Sequence, residues 1–374
     1  MDINSFVIGY KKGKASGGGG SMEGFHMVRF FNDDQTTLLY TVFVPHGTGA
    51  IYAGETPASA VDQSMIFSGF DPSAEEVTSD LDCYAQYVQG FTSLDTASWE
   101  TISALSASGQ AENYFAVGET KMIHISGTVG TIALDGEYAV YILGFDHNSA
   151  IEGKGITFGT FKSALSGGKD IAFDDGVYYK VDGTKVFSPN HWNSAGYNNF
   201  WASSDIRYDI LGSTDVPPKN YGSVAQRKEG YDPTENCVSN PVAGSLMAAL
   251  PADLRAVLKP ITKYTHNATT QQSSISESDV TATIDYLPLL SEYEVFGVIS
   301  YSSRYEKSKQ KQYPYFAAGN PRIKYSSKSG SADEWWLRSV ATTADRCWCY
   351  INSNGTLANS TCQYSRPIAP IFKV

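Results

Sequence analysis

Residues 334–374 read EWWLRSVATTADRCWCYINSNGTLANSTCQYSRPIAPIFKV. The stretch opens on a double tryptophan, Trp335-Trp336, and closes on an apolar alternation through Ile368, Pro370 and Ile371-Phe372. Two runs of small and polar residues lie between these ends, Val340–Tyr350 and Thr356–Arg366. Asn352-Ser353-Asn354-Gly355 separates them, and its Asn-Gly pair is a strong turn signal. The pattern predicts two apolar ends anchored in a core, with a hairpin of side chains displayed between them. Trp335, Trp336 and Phe372 are the expected anchors. The expected binding residues are Thr342, Thr343, Asp345, Arg346, Cys347, Tyr350, Thr356, Ala358, Ser360, Thr361, Tyr364 and Arg366. Six of them, Thr342, Thr343, Arg346, Tyr350, Thr361 and Tyr364, are expected on one exposed face. Tyr, Ser, Asn and Arg are the residues of adaptable recognition surfaces, which combine rigid aromatic area with flexible hydrogen bonding. Tyr301, Tyr305, Tyr313 and Tyr315 are read as flanking the site.

The segments WWLRS (335–339), INSNG (351–355) and IAPIFKV (368–374) resemble the C-terminal end of a family of gut-bacterial and phage proteins. These have a C-type-lectin-like fold and include the variable proteins of diversity-generating retroelements. YILGFDHNSAIEGKGITFGTF at 141–161, LMAALPADLRAVLKPITKYT at 246–265 and YLPLLSEYEVFG at 286–297 resemble the same family, so the resemblance covers roughly residues 93–374. It implies that a reverse transcriptase randomises adenines, chiefly in asparagine codons, and that these become Tyr, Ser, Thr, Asp, Ala, Arg, Cys or Val. Trp348 is not reachable that way, which makes it a scaffold aromatic within the run. Gln363 departs from the pattern.

The chain has 374 residues, enough for two or three domains. Its net charge is −11, and its pI is near 5.0. That balance argues against nucleic acid or an anionic membrane as the main partner. No apolar run approaches the ~18 residues of a membrane span. The first residues, MDINSFVIGYKKGKASGGGGS, lack a long apolar stretch, so a secretory signal is not expected. The five cysteines, Cys83, Cys237, Cys347, Cys349 and Cys362, are too few and scattered for a disulfide framework. An intracellularly assembled particle fits this usage better than a secreted, stapled domain.

Residues 1–25 form an arm: a short apolar patch, Phe6, Val7, Ile8 and Tyr10, then basic and glycine-rich sequence. Its reading is either a disordered tail or an attachment arm. Residues 26–92 read as a small β domain, with strands at Met27–Phe31 and Leu38–Val44. Gly69-Phe70 and the YAQY segment Tyr84–Tyr87 resemble the β-grasp-like repeats of internalin B-type surface proteins, which implies a spacer or adhesion module. Residues 93–374 are read as one domain. A helix is expected over Thr96–Ser108, capped by Asp95 or Thr96 and stopped by Gly109. Strands are expected at Met122–Ile125, Thr131–Leu134 and Tyr138–Phe145. A helix ends at Leu246–Leu250, another covers Pro251–Val257, and Tyr286–Leu290 is expected as a buried strand. Ser188–Asn236 and Thr265–Ser278 are long irregular stretches. The fold class is therefore α+β: a C-type-lectin-like domain preceded by a small β domain of β-grasp or immunoglobulin-like kind.

Enzyme signatures are missing from the sequence. The six histidines form no HxH or HExxH pair, and there is no nucleophile elbow, Walker loop or dinucleotide fingerprint. Cys347, Cys349 and Cys362 lack a fourth ligand and the usual spacing for zinc. Cys347 and Cys349 are read as facing opposite sides of a strand, with Cys349 packed inward and Cys347 displayed. Asp174-Asp175-Gly176 is read as a turn rather than a calcium site, and the EPN, QPD and WND signatures of calcium-dependent lectins are absent. The expectation is a binding protein with no cofactor and no metal. It would be a phage-tail or virion receptor-binding protein, or a bacterial surface protein. Its partner would be a host-surface protein or glycan, and it would assemble as a homotrimer whose arm meets other virion proteins. It would bind no nucleic acid and insert into no membrane. The alternatives are a formylglycine-generating-type enzyme on the same fold, which needs a cysteine pair in a surface groove, and a structural adhesin without a variable site.

Overall fold

The computed structural model describes residues 24–163, 169–174, 187, 200–214, 235–267, 275–342, 347–362 and 364–374. The protein is mixed α+β, mostly sheet with a few short helices. Two compact units divide between Tyr87 and Val88, where the sequence reading sets a boundary at 92/93.

The first unit is a four-stranded sheet of β1 (Phe25–Phe31), β2 (Leu38–Pro45), β3 (Met65–Asp71) and β4 (Leu81–Gln89), in the order β2-β1-β4-β3. β1 and β2 form an antiparallel hairpin, and β1 lies parallel to β4. Alternation along the strands decides the faces. Val28, Phe30, Val44, Val77 and Cys83 make the core, while Phe25 and Phe43 are exposed. Phe30 meets Phe70 edge-on, with ring centroids 4.7 Å apart.

The second unit begins with a helix over Trp99–Ala107. Its cap is Ser98, whose hydroxyl accepts the Thr101 N–H at 3.0 Å. Asp95 and Thr96 were the expected caps. Thr96 instead closes the preceding turn, its hydroxyl accepting the N–H groups of Thr92 and Ser93. Trp99, Ile102 and Leu105 face inward, and Gly109, at φ +70, lies just beyond the helix.

Twelve strands follow among the described residues. They are β5 (Thr120–Val129), β6 (Ile132–Phe145), β7 (Ile156–Ser163), β8 (Asp170–Ala172), β9 (Ile261–His266), β10 (Val280–Asp285), β11 (Lys324–Ser326), β12 (Ala332–Asp333), β13 (Trp335–Val340), β14 (Cys347–Ile351), β15 (Leu357–Thr361) and β16 (Phe372–Lys373). The main sheet runs β12-β11-β8-β7-β6-β5, with β16 beside β7. β9 pairs with β10, and β13, β14 and β15 form a separate three-stranded sheet. The two strands expected between 131 and 145 are one. Gly136 pairs opposite Ile125 without breaking β6, because backbone hydrogen bonds do not need its side chain.

The expected strand at Tyr286–Leu290 is buried but is not a strand. β10 ends at Asp285, and the segment keeps only a single bridge, Leu289 to Pro370. Pro288 has no N–H for a ladder, so the buried segment is tied by scattered bonds, such as those from the Ile371 N–H to the Pro288 carbonyl and the Arg338 N–H to the Leu290 carbonyl. The helix at Ala252–Val257 starts just after Pro251, which stands at the cap position rather than in the first turn.

The C-terminal segment stitches the unit together. Ile368 bridges both Phe173 and Trp336, Pro370 bridges Leu289, Lys373 bridges Lys259, and β16 pairs Phe372 with Phe158. Every residue from 367 to 374 is buried. Trp335, Trp336 and Phe372 are wholly buried, as the anchored ends require. Among the described residues no helix is long and apolar enough to cross a membrane.

β13–β15 lies between two apolar clusters. Trp335, Leu337, Cys347, Cys349 and Ile351 join Ala369 and Ile371 on one side. Trp336, Val340 and Trp348 join Ile368 and Phe372 on the other. Alternation along β13 and β14 produces this division.

Candidate functional site

The hairpin expected between the anchors is β14–β15. Its five pairs run from Cys347–Thr361 to Ile351–Leu357. Asn352 turns the chain: its N–H donates to the Thr356 carbonyl at 2.9 Å, and its side-chain oxygen accepts the Asn354 N–H at 3.1 Å. Gly355 adopts φ +83, and a Cβ there would lie 3.2 Å from Ile323 Cγ1, so both conformation and space call for glycine.

Thr343, Asp345 and Arg346 lie outside the described residues, as does Gln363. The other expected residues do not share one exposed face. Paired residues of an antiparallel sheet point to the same side, and neighbours along a strand to opposite sides. Tyr350 pairs with Ala358 and Trp348 with Ser360, which puts Tyr350, Ala358 and Ser360 on the side of Trp336 and Trp348. Thr361 pairs with Cys347, an odd number of residues from Tyr350, and so lies on the opposite side. Thr342 hangs on a neighbouring loop: its N–H and hydroxyl both donate to the Tyr301 carbonyl, at 2.7 and 3.0 Å. Of the described site residues, only Thr356 is fully exposed. Thr342, Tyr350, Ala358, Ser360, Thr361, Tyr364 and Arg366 are half-buried.

Cys347 is not displayed. It is 8% exposed and packs in the cluster that holds Cys349. The two cysteines also share a face rather than opposing one another, because residues two apart on a strand point the same way. Cys349 is fully buried with Sγ 3.8 Å from Glu292 Oε2, and burial followed by that carboxylate pushes its thiol well above the ordinary range. Tyr313 and Tyr315 do not flank the site either. Tyr313 accepts a hydrogen bond from Lys263 at 3.0 Å and stacks on His147, and Tyr315 packs on Tyr141. Tyr301 and Tyr305 are half-buried.

One cluster brings several expected residues together. The Arg366 guanidinium lies 4.3 Å from the Tyr350 ring centroid, 4.6 Å from Trp336 and 5.5 Å from Tyr364. Arg366 Nε donates to Glu334 Oε2 at 2.6 Å. Trp348 meets Trp336 edge-on at 6.4 Å and lies 6.3 Å from Trp201. Ala358 and Ser360 are small residues on the same side of the sheet as the aromatic rings. Sequence reasoning missed Glu334 and Trp201. Glu334 does stand directly before the double tryptophan, but no local spacing ties it to Arg366. Arg366 is placed there by its own N–H bond to the Phe187 carbonyl, at 2.8 Å.

Among the described residues no three His, Cys, Asp or Glu side chains are grouped as metal ligands. Asp174 accepts from the Ser326 hydroxyl at 3.0 Å, while Asp175 and Gly176 lie outside the described residues. His147 is buried, and desolvation lowers it to about 3.

The unit is thus a mixed α+β frame that holds a short hairpin against an aromatic and arginine cluster. Residues 184–374, just over half of the chain, match the domain of unknown function DUF6273, and the chain belongs to that family. No curated protein and no solved structure matches it.

Proposed function

We propose that this protein binds a ligand and does no catalysis, on a C-type-lectin-like domain that follows a β-grasp-like unit in the sequence. The Arg366 cluster carries the reading. Arginine and tyrosine are the usual hot spots of recognition surfaces. Here a guanidinium is held against three aromatic rings and oriented by one carboxylate, so little freedom remains to be lost on binding. Tyr350, Ala358, Ser360, Tyr364 and Arg366 are its binding residues, and Thr342, Thr356 and Thr361 are peripheral. The mixed sheet β2-β1-β4-β3, with its central pair parallel, is compatible with the β-grasp resemblance.

The setting we infer is a phage-tail or virion receptor-binding protein, or a bacterial surface protein, diversified by a retroelement. Its partner is a host-surface protein or glycan. A homotrimer would add avidity, and the arm at residues 1–25 would meet other virion proteins. No nucleic acid, membrane insertion, metal or cofactor belongs to this reading. A second reading is an enzyme of the formylglycine-generating class. The shared face of Cys347 and Cys349 favours it, while the burial of both thiols counts against it.

The test is adhesion of labelled protein to gut-bacterial cells. Replacing Tyr350, Tyr364 and Arg366 together by serine should abolish adhesion and leave a folded protein. A folded triple variant that adheres like the wild type places the site elsewhere. Light scattering at micromolar concentration checks the trimer. A reverse transcriptase gene beside a near-copy of the hairpin's coding sequence is the genomic check on diversification.

A further inference from the structure

We propose that His26 and His46 together chelate a divalent transition-metal ion, copper(II) foremost. The site belongs to the first unit and is independent of the binding reading above.

The pair stands where the β1–β2 hairpin opens. His26 lies opposite Val44 in the ladder, and the His46 N–H donates to the Gly24 carbonyl at 2.9 Å. Residues two apart on a strand share a face, so both imidazoles rise from the same side of the sheet. They meet there, with His26 Nε2 2.8 Å from His46 Nδ1 and ring centroids 5.1 Å apart. His46 is exposed and His26 half-buried, so solvent reaches both. The other described histidines lack this arrangement. His147 and His266 are buried, and both ring nitrogens of His124 already face carboxylates, Glu137 at 2.8 Å and Asp135 at 3.0 Å.

Two imidazole nitrogens in contact need one proton between them, since two lone pairs cannot face each other. A metal ion can take that proton's place. The donor ring passes its proton to its outer nitrogen, and both inner lone pairs then turn to the metal, so no proton is gained or lost. The spacing selects the ion. With metal–nitrogen bonds of about 2.0–2.1 Å, a tetrahedral angle would need the nitrogens about 3.3 Å apart. A separation of 2.8 Å closes instead an angle of about 85–90°, the cis angle of tetragonal copper(II) and nickel(II). Imidazole suits both ions, and copper(II) heads the affinity order. The ladder already holds the two strands in register, so chelation orders only the rings. Two protein ligands leave further positions on the metal open to water or to a donor from another molecule.

The experiment titrates the full chain with copper(II) chloride by calorimetry, with glycine as a weak competing chelator. Pulsed electron paramagnetic resonance then counts the imidazoles on the bound copper. The expected result is one copper held by two imidazoles. His26→Ala and His46→Ala should each weaken it by about a hundredfold, the loss expected when a two-point attachment becomes one-point. Zinc chloride should bind more weakly than copper. His124→Ala should bind copper as the wild type does. Thermal melts check that the variants fold, and if His26→Ala does not, the exposed His46→Ala decides alone. The proposal is overturned if a folded His46→Ala variant keeps the wild-type affinity or if only one imidazole is detected. It is equally overturned if zinc binds more tightly than copper, or if the loss appears in His124→Ala instead.

Discussion

Arg338 and Glu294 form a wholly buried ion pair. Arg338 Nη2 donates to Glu294 Oε1 at 2.8 Å, and Nη1 reaches the second oxygen. Lys263 meets the same carboxylate at 2.7 Å and Glu152 at 2.7 Å, which extends the pair into a chain of four charges. The network joins the helix Glu292–Phe296 to β9 and β13, so it fixes the strand that begins at the double tryptophan. Breaking such a pair strands a charge in the core. Arg338→Met should cost about 3–5 kcal/mol in chemical denaturation, and a variant as stable as the wild type would show the network to be dispensable.

The same carboxylate predicts acid sensitivity. Burial works to raise Glu294, but the charges of Arg338 and Lys263 outweigh it and hold the group well below the usual range. Its stabilising contribution is present above the unfolded value of about 4.3 and disappears as pH falls toward the folded value. Melting temperature should drop below pH 4 and should do so less in a Glu294→Gln, Arg338→Met double variant.

Glu306 works in the opposite direction. Burial pushes it up to about 7 despite hydrogen bonds from the His266 N–H, Gln310 and Ser339. Between about pH 4.3 and 7 the unfolded chain releases a proton that the folded one keeps, so stability falls as pH rises. Glu306→Gln should flatten that slope. An unchanged slope in thermal melts from pH 5 to 7.5 would remove Glu306 as its source.

Anchoring at the tryptophans has a direct measure. Trp336→Ala should cost about 3–5 kcal/mol, since a wholly buried ring leaves a cavity. A denaturation curve overlying that of the wild type would refute the anchored-ends model.

Thiol reactivity checks the corrected placement of Cys347. All five cysteines are buried. Folded protein should resist a water-soluble disulfide reagent and react at every cysteine once unfolded. Fast labelling of Cys347 in the native state would restore it to the surface.

Much of the second unit's frame was readable in the sequence. The helix face Trp99, Ile102 and Leu105 follows from 3.6-residue spacing, and the β14–β15 hairpin follows from the Asn-Gly turn between alternating runs. These are local patterns, and they survive because near neighbours alone decide them. The face of each hairpin residue was less legible. A run of mixed polar residues carries no marker of which side meets a core, so Thr361 and Tyr350 looked alike although they point apart. The sequence reading displays Cys347 because it sets that residue on the opposite side of the strand from Cys349, although residues two apart share a side. It is buried because Ile351 and Cys349 share its side of the strand, and that side packs on Ala369 and Ile371.

By itself, the sequence determined the anchors, the turn and the residue types gathered between them, because period and turn chemistry act within a few residues. Tertiary structure alone decided which of those residues meet. Arg366 reaches Glu334 across 32 residues, and Arg338 reaches Glu294 across 44. The buried C-terminal segment brings such distant parts together by bridging Phe173, Trp336, Leu289 and Lys259 in turn. Pairing of this kind depends on the packing of the whole unit, and no spacing within one segment encodes it.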